Sequence, residues 1–321
     1  MTSIDQQLLD ACKSGNTDEV TKLLKEGANA AYEKYVDGTW GAHDTTNPIH
    51  EAFKAKDDEK RLTIIKSLLE HKANMNSKEE HYDWRGCGHS TSALETALAI
   101  ARNTSDVSIM KLFLENNADP NQVSTQSIHS MRTDGSITRT LLTDAASDMQ
   151  ISLLQCLLEA GADANSPAKT ITNNEYGWRE DTLAYPLHIC ARHANDEKAF
   201  EAVKLLLAHS AEINAVHQYL HQEQTETNSE VTDPRAEGYQ SGITTKQVQE
   251  TALSVAIRAN NSLVVKCLVD SGADVTIPRK FGELVQTPTE LINSLYADDE
   301  ESLSKMKYAM GTNPLAKSAM K

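Results

Sequence analysis

Short clusters of leucine and other aliphatic residues recur along the chain, each near the end of an amphipathic segment. Apolar residues in these segments follow the three- and four-residue spacing that places them on one face of an α-helix. Examples of the clusters are Val20–Leu24, Ile64–Leu69 and Val203–Leu207. The pattern predicts a series of short helices, each of which buries one stripe of apolar side chains.

A short phrase around an alanine follows each cluster, and its fullest copy is Gly-Ala-Asp-Ala-Asn at 161–165. Its copies lie at 27–29, 73–76, 117–121, 161–165, 211–214 and 272–275. A glycine just past a helix supplies the left-handed residue that ends it, and asparagine is a tolerated substitute. Lys72 and Ser210 stand where the other copies have glycine or asparagine, so we expect the second and fifth repeats to end less regularly.

A recurring phrase also opens six of the repeats, and five of its six copies have threonine or proline in the first two positions. The openings lie at 47–52, 93–97, 140–145, 185–190, 251–256 and 287–291. Proline at the first helical position sacrifices no hydrogen bond, and a preceding threonine caps the first turn. A chain that repeats one unit in this way is a stack rather than a globule around a single core.

The openings resemble the Thr-Pro-Leu-His-x-Ala start of ankyrin repeats, and the closing phrases resemble the Gly-Ala-Asp-x-Asn end of that family. The resemblance implies an all-α ankyrin-repeat solenoid of about seven helix pairs with elongated β-hairpin finger loops. It also implies that the motif histidines, His50 and His188, hydrogen-bond locally and brace the turn. We expect one domain over residues 1–310, followed by a frayed tail at 311–321. The expected repeats lie near 4–29, 47–76, 92–121, 140–165, 185–214, 251–276 and 287–310.

The spacing between openings exceeds the roughly 33 residues of an ordinary ankyrin unit, so the chain carries inserts. We call the inserts fingers; they occupy residues 30–46, 77–91, 122–139, 166–184 and 215–250. Central Asp-Gly or Arg-Gly pairs at 37–38, 85–86 and 134–135 predict the turns of hairpins. The stretch 222–230 in the fifth finger is polar and poor in apolar residues, which predicts a mobile tip.

Tryptophan is confined to the fingers, where tyrosines accompany it. Tryptophan and tyrosine dominate binding hot spots because they combine a large apolar surface with a polar group. The alternative is that neighbouring hairpins bury these rings against one another. The candidate partner-binding residues are Tyr35, Trp40, Tyr82, Trp84, Tyr176, Trp178, Tyr219, Glu223, Glu226 and Tyr239.

Composition adds an acidic character and a cellular setting. The formal net charge is −15, and the fifth finger carries the largest acidic excess of the five. Such a surface suits a basic protein partner and disfavours nucleic acid and anionic membrane, although acidity also keeps a long solenoid soluble. No apolar run reaches membrane-spanning length, and the five cysteines lack metal-ligand spacing. We expect a cytoplasmic monomer, with secretion into a host as an effector left open.

Candidate catalytic residues are sparse. The chain has no Gly-x-Ser-x-Gly elbow, phosphate loop or dinucleotide fingerprint. His217 and His221 lack a third metal ligand in register, and the group of Cys87, His89 and His81 offers only one thiolate. We therefore predict no enzyme activity, no cofactor and no metal, with a metal-dependent enzyme as a remote alternative.

Together the patterns predict a non-catalytic protein–protein interaction module. It would bind one folded partner on its concave, finger-side surface, as an inhibitor or bacterial immunity protein that masks a toxin or an enzyme. The alternative is an adaptor or secreted effector that recruits a host protein.

Overall fold

A computed structural model of the chain describes residues 3–38, 42–82, 88–129, 133–174, 179–194, 197–224 and 243–311. The chain divides into two compact units. Unit 1 comprises Met1–Pro120 with Glu159–Gly161, and unit 2 comprises Asn121–Leu158 with Ala162–Lys321.

Short helices follow one another in pairs through both units. The opening phrases begin the first helix of a pair because their polar side chains cap it: Asn47 accepts the N–H groups of Ile49 and His50, and Thr287 forms a capping box with Glu290. Within the described residues the helices are α1 (Ile4–Ser14), α2 (Thr17–Lys25), α3 (Pro48–Phe53), α4 (Asp58–Glu70), α5 (Ala93–Thr104), α6 (Ser108–Glu115), α7 (Leu141–Ser147), α8 (Ile151–Glu159), α9 (Pro186–Ala191), α10 (Glu197–Ala208), α11 (Ala252–Arg258), α12 (Ser262–Asp270), α13 (Pro288–Leu295) and α14 (Glu300–Ala309).

The closing phrases end the second helices with the same backbone geometry in each repeat. In unit 1 the N–H of Ala73 donates to the carbonyl of Leu68 at 2.9 Å, and in unit 2 Ala211 donates to Leu206 at 3.0 Å. Lys72 and Ser210 adopt left-handed φ values of 64° and 65°, as the glycines of other repeats do. The irregular ends expected at these two positions are therefore absent, because the helix end imposes the conformation that the side chain disfavours.

We predict that Ser210→Gly stabilises the protein by about 0.5–1 kcal/mol, because glycine adopts a left-handed φ without the penalty that a Cβ brings. Chemical denaturation of the variant measures the change. Gly272→Ser is the matched control in the same unit: its φ is 94°, and a Cβ there would meet nothing within 4 Å, so any loss of stability is a backbone effect. Equal stability of Ser210→Gly and wild type would contradict the prediction.

The asparagine of the closing phrase links successive repeats of unit 2. The side-chain oxygens of Asn121, Asn165 and Asn214 accept the backbone N–H groups of the next closing phrase, at Asp163, Glu212 and Asp274, over 2.7, 2.7 and 2.9 Å. These bonds, which lie at the surface, give each of the three N–H groups a partner in the preceding repeat. The recurring Asn is thus a hydrogen-bonding residue of the stack rather than a turn residue alone.

Regular strands make up a larger share of the chain than expected. Among the described residues the strands form three antiparallel sheets of four strands each. Sheet A, in unit 1, has the order β1-β2-β3-β4; sheets B and C, in unit 2, have the orders β5-β6-β7-β8 and β12-β11-β10-β9. The strands are β1 (Lys34–Asp37), β2 (His43–Thr46), β3 (Lys78–Tyr82), β4 (Gly88–Ser92), β5 (Val123–His129), β6 (Thr133–Thr140), β7 (Ala168–Asn174), β8 (Arg179–Ala184), β9 (Val216–Gln224), β10 (Ile243–Thr251), β11 (Arg279–Phe281) and β12 (Leu284–Gln286).

The predicted all-α fold class is wrong, since the described residues form three antiparallel sheets of four strands each beside the helices. The physical reason is that neighbouring fingers pair edge to edge. An isolated hairpin leaves unpaired N–H and C=O groups on both edges, and pairing two hairpins satisfies one edge of each. In sheet A the join is β2 with β3, where His43 lies opposite Tyr82.

The hairpin turn predicted at residues 134–135 is wrong, because these residues belong to a strand of sheet B. Asp134 and Gly135 lie inside β6 and pair with β7, where Gly135 is opposite Thr172. A Cβ at Gly135 would lie 2.1 Å from the carbonyl oxygen of Ile171, so this glycine permits close approach of two strands rather than a reversal of the chain.

The sequence analysis missed a short hairpin, β11–β12, that completes sheet C. Phe281 pairs with Leu284, and Gly282 turns the chain with a φ of 59°. The glycine in the middle of residues 279–286 was the available signal for a turn, but this stretch does not lengthen the spacing between repeats enough to indicate an insert.

The predicted tail at 311–321 lies outside the described residues apart from Gly311.

Candidate interaction surface on the finger sheets

Each finger sheet has one face that is tied to a first helix by a charged pair near the base of the sheet. In sheet A, Lys54 Nζ lies 2.8 Å from Glu79 Oε1. In sheet B, Arg139 Nε lies 3.7 Å from Asp144 Oδ1, and in sheet C, Arg258 Nη1 lies 2.8 Å from Glu250 Oε1. We call this face the helix side of each sheet, and the other face the outer side.

The motif histidines reinforce these attachments within each unit. His50 Nε2 lies 3.1 Å from the carbonyl oxygen of Thr91, and His188 Nε2 lies 3.3 Å from that of Glu250. In both cases the carbonyl belongs to the residue just before the N-cap of the following repeat. His50 also contacts the Asn47 side chain at 2.7 Å, so the expected local brace is joined by a second bond that reaches a finger strand.

On sheet A of unit 1 three rings stack across neighbouring strands. The centroids of Tyr35 and His43 are 5.5 Å apart, those of His43 and Tyr82 are 4.8 Å apart, and both pairs are inclined by 24°. Tyr35 and His43 belong to β1 and β2, and Tyr82 to β3. Side chains alternate between the two faces along a strand. The register therefore places the three rings on the outer side of sheet A, whereas Glu79 lies on the helix side.

Sheet C of unit 2 carries a buried charge network on its helix side. The carboxylate of Glu250 accepts from Arg258 Nη1 at 2.8 Å, from the Tyr219 hydroxyl at 2.9 Å and from Arg279 Nε at 3.1 Å. Glu250 and Arg279 are nearly inaccessible, with side chains 3% and 10% exposed. Burial alone would raise the pKa of Glu250, but Arg258, Tyr219 and Arg279 outweigh it, so the pKa lies below its usual value.

Two histidines pack beside this network. His188 of α9 and His217 of β9 meet edge to face at 5.5 Å, and His217 contacts the Tyr219 ring at 4.9 Å. Burial lowers the pKa of His188 to about 4, with a further contribution from His217. Burial also lowers the pKa of His217 to about 4. Both rings are therefore neutral at pH 7.

Phe281 lies on the same face of sheet C as the Glu250 network, and two cationic side chains contact its ring. Lys246 Nζ and the Arg279 guanidinium each lie 4.8 Å from the ring centroid, and the His221 ring lies 5.4 Å away. His217 and His221 thus lie on the same face of β9. The cluster extends the packed helix side of sheet C outward from Glu250.

The candidate aromatic residues do not share one face. Tyr35 and Tyr82 lie on the outer side of sheet A, and Tyr35 is 58% exposed. Tyr219 lies on the helix side of sheet C, where its hydroxyl is engaged by Glu250 and Arg258. Glu223 pairs with Thr244 in the backbone register of sheet C. The other candidates lie outside the described residues; they are Trp40, Trp84, Tyr176, Trp178, Glu226 and Tyr239.

Sequence reasoning missed the residues that anchor the sheets. Lys54 and Arg258 each stand seven positions after the N-cap of a first helix, as Arg192 does after Tyr185. This recurrence of a basic residue is the signal that could have found the anchors. Part of the finger acidity is consequently used inside the protein, since Glu79 and Glu250 pair with basic residues of adjacent first helices.

The described residues offer little for catalysis. They contain no group of three or more histidine, cysteine or acidic side chains arranged to hold a metal ion. Burial raises the pKa of the Cys12 and Cys190 thiols to about 12, which keeps them protonated and unreactive. Among the helices of the described part of the chain, none has the length and apolarity needed to cross a membrane.

Comparison with known proteins finds a family match over part of unit 2. The family model for the ankyrin repeat matches residues 184–218 and 249–280. A solved structure of the human ASB11 ankyrin repeat domain shares 15% sequence identity with the chain, with a TM-score of 0.42, and the match covers 88% of this chain and 90% of that one. No curated protein matches the chain.

Proposed function

Because the chain contains ankyrin repeats, which indicate a protein–protein interaction module, we propose that it binds one folded protein partner without catalysing a reaction. The observation that carries the proposal is the anchoring of each finger sheet to a first helix by a charged pair. Anchored sheets lose little conformational entropy on binding, and such preorganisation strengthens association.

We place the contact on the helix side of sheet A, because the corresponding side of sheet C is packed around Glu250. In sheet A this side exposes Val36 and the ion pair of Asp44 with His81. In sheet C it contains Tyr219. The formal net charge of −15 favours a basic partner, since complementary charge steers association.

Within this function we propose an inhibitor, such as an immunity protein that masks a toxin or an enzyme. A rigid sheet surface supports this role better than a flexible docking segment would, because it can cover an active site without reordering. Recruitment of a partner as an adaptor or effector is the other outcome that the experiment below distinguishes.

We predict that a double substitution on the helix side of sheet A, Val36→Ala with Asp44→Asn, weakens partner binding by about tenfold or more. The full chain serves as bait in native lysate; the captured protein is identified by mass spectrometry, purified and titrated calorimetrically. Tyr308→Ala is the matched control, because Tyr308 on α14 is 57% exposed and lies on no finger.

The same titration separates the two roles. A fall in the partner's own activity at one equivalent supports an inhibitor, whereas full activity in the complex supports an adaptor. Equal affinity of the double variant and Tyr308→Ala would remove the helix side of sheet A from the proposal, and absence of any stoichiometric protein complex would remove the proposal itself.

A further inference from the structure

The outer side of sheet A carries an aromatic stack whose chemistry differs from that of the helix side. Tyr35, His43 and Tyr82 stand on three adjacent strands, and their rings form a continuous stack with separations of 5.5 and 4.8 Å. Tyr35 stands on β1, the edge strand of the sheet, and is 58% exposed. His43 and Tyr82 are half-buried, so Tyr35 presents the most accessible ring of the stack to solvent.

Two carboxylates share this face with the rings. Asp37 lies opposite His43 in the register of β1 and β2, and Glu80 lies opposite Thr45, which itself faces Tyr35. The pKa of Tyr35 is raised by desolvation and then by Asp37 and Glu80, which shows that the phenol senses both negative charges. Lys78 is also on this face of β3; it precedes Glu80 by two residues, whereas Tyr82 follows Glu80 by two.

Stacked rings flanked by carboxylates match one side chain better than others. The arginine guanidinium is planar, stacks on aromatic faces and donates paired hydrogen bonds to a carboxylate. The lysine ammonium is a compact, strongly hydrated charge that gains less from a stacked ring. The ligand that this face fits is therefore an arginine side chain on a basic protein.

We propose that the outer side of sheet A binds an arginine-rich segment of a protein, with the Tyr35–His43–Tyr82 stack as the platform and Asp37 and Glu80 as the charge partners. This inference goes beyond the function proposed above, because the surface lies on the opposite face of the sheet from Val36 and Asp44. A folded partner on the helix side and an arginine-bearing segment on the outer side would engage the same fingers from two directions.

The test titrates the full chain into fluorescently labelled hexa-arginine or hexa-lysine and measures binding from the fluorescence anisotropy of the peptide. The salt concentration is about 0.15 M, at which exposed charges are partly screened. We expect hexa-arginine to bind more tightly than hexa-lysine. Tyr35→Leu should weaken hexa-arginine binding by about fivefold, the order of one exposed cation–π contact, and Asp37→Asn should also weaken it. Tyr308→Leu on α14, similarly exposed, should leave binding unchanged.

Folding of each variant is checked by amide exchange in β2 and β3, so that loss of binding is read only from folded protein. Equal affinity for the two peptides, together with no effect of Tyr35→Leu, would overturn the proposal, because it is the result expected of a non-specific acidic surface. Failure of the helix-side titration leaves this test intact, since neither the probes nor these variants involve Val36 or Asp44.

Discussion

Glu250→Gln is expected to open sheet C and destabilise unit 2 by about 3 kcal/mol or more, the largest effect of a single substitution that the structure predicts. The change keeps the shape of the side chain and removes its charge. Arg279, with a side chain only 10% exposed, then retains a buried positive charge with no carboxylate. Removing one partner of a buried pair is costly because the remaining charge cannot recover its hydration.

Local amide exchange is the appropriate measurement, because a chain of repeats need not unfold in one step. Exchange in β9 and β10 should accelerate by about two orders of magnitude, as each 1.4 kcal/mol corresponds to a factor of ten. Strands of sheet A, in unit 1, should keep their wild-type rates. If the amides of β9 and β10 retained full protection, the network would not be what holds sheet C.

A surface ion pair provides the matched control. Lys266 and Asp270 form an i,i+4 pair at 2.8 Å on α12, and both side chains are about half exposed. Exposed pairs of this kind contribute little because solvent screens them, so Asp270→Asn should change exchange very little. The contrast between the two acidic residues isolates burial as the cause.

The sequence predicted the parts of this fold that depend on local spacing. Helix starts at Asn47 and Thr287 follow from capping chemistry, and the helix ends follow from the closing phrases. Pairing of one finger with the next was not predicted, because alternation within a strand shows that it can pair but not with which neighbour. The all-α expectation failed for this reason.

The candidate site was predictable to a lesser degree. Tyr35 and Tyr82 were selected as residue types, but the stack also requires His43, which only the register of β2 with β3 reveals. Glu250 gathers Arg258, Arg279 and Tyr219 from 8, 29 and 31 residues away. Contacts of that separation follow from the folded sheet rather than from any local motif.

Acidification is expected to weaken unit 2 between about pH 6.5 and pH 4, through His188 and His217. Both have a pKa of about 4 in the folded protein, against about 6.5 in an unfolded chain. In this window the unfolded chain binds more protons than the folded one, so each step down in pH favours unfolding. The stabilisation is nearly complete above pH 6.5 and is lost as the pH falls toward 4; at about 1.4 kcal/mol per pH unit it is on the order of 3 kcal/mol for each ring.

The groups around the two rings set this direction. Burial is the first cause for both, Arg192 adds to it at His217, and Glu250 acts in the opposite sense on each. Amide exchange of β9 and β10, corrected for the intrinsic effect of pH, should show falling protection across the window. His217→Gln removes one titrating ring and should flatten part of the dependence. A wild-type protein with constant protection from pH 7 to pH 4.5 would show that the histidines are not buried as neutral rings, and the attachment of sheet C to α9 would then need another explanation.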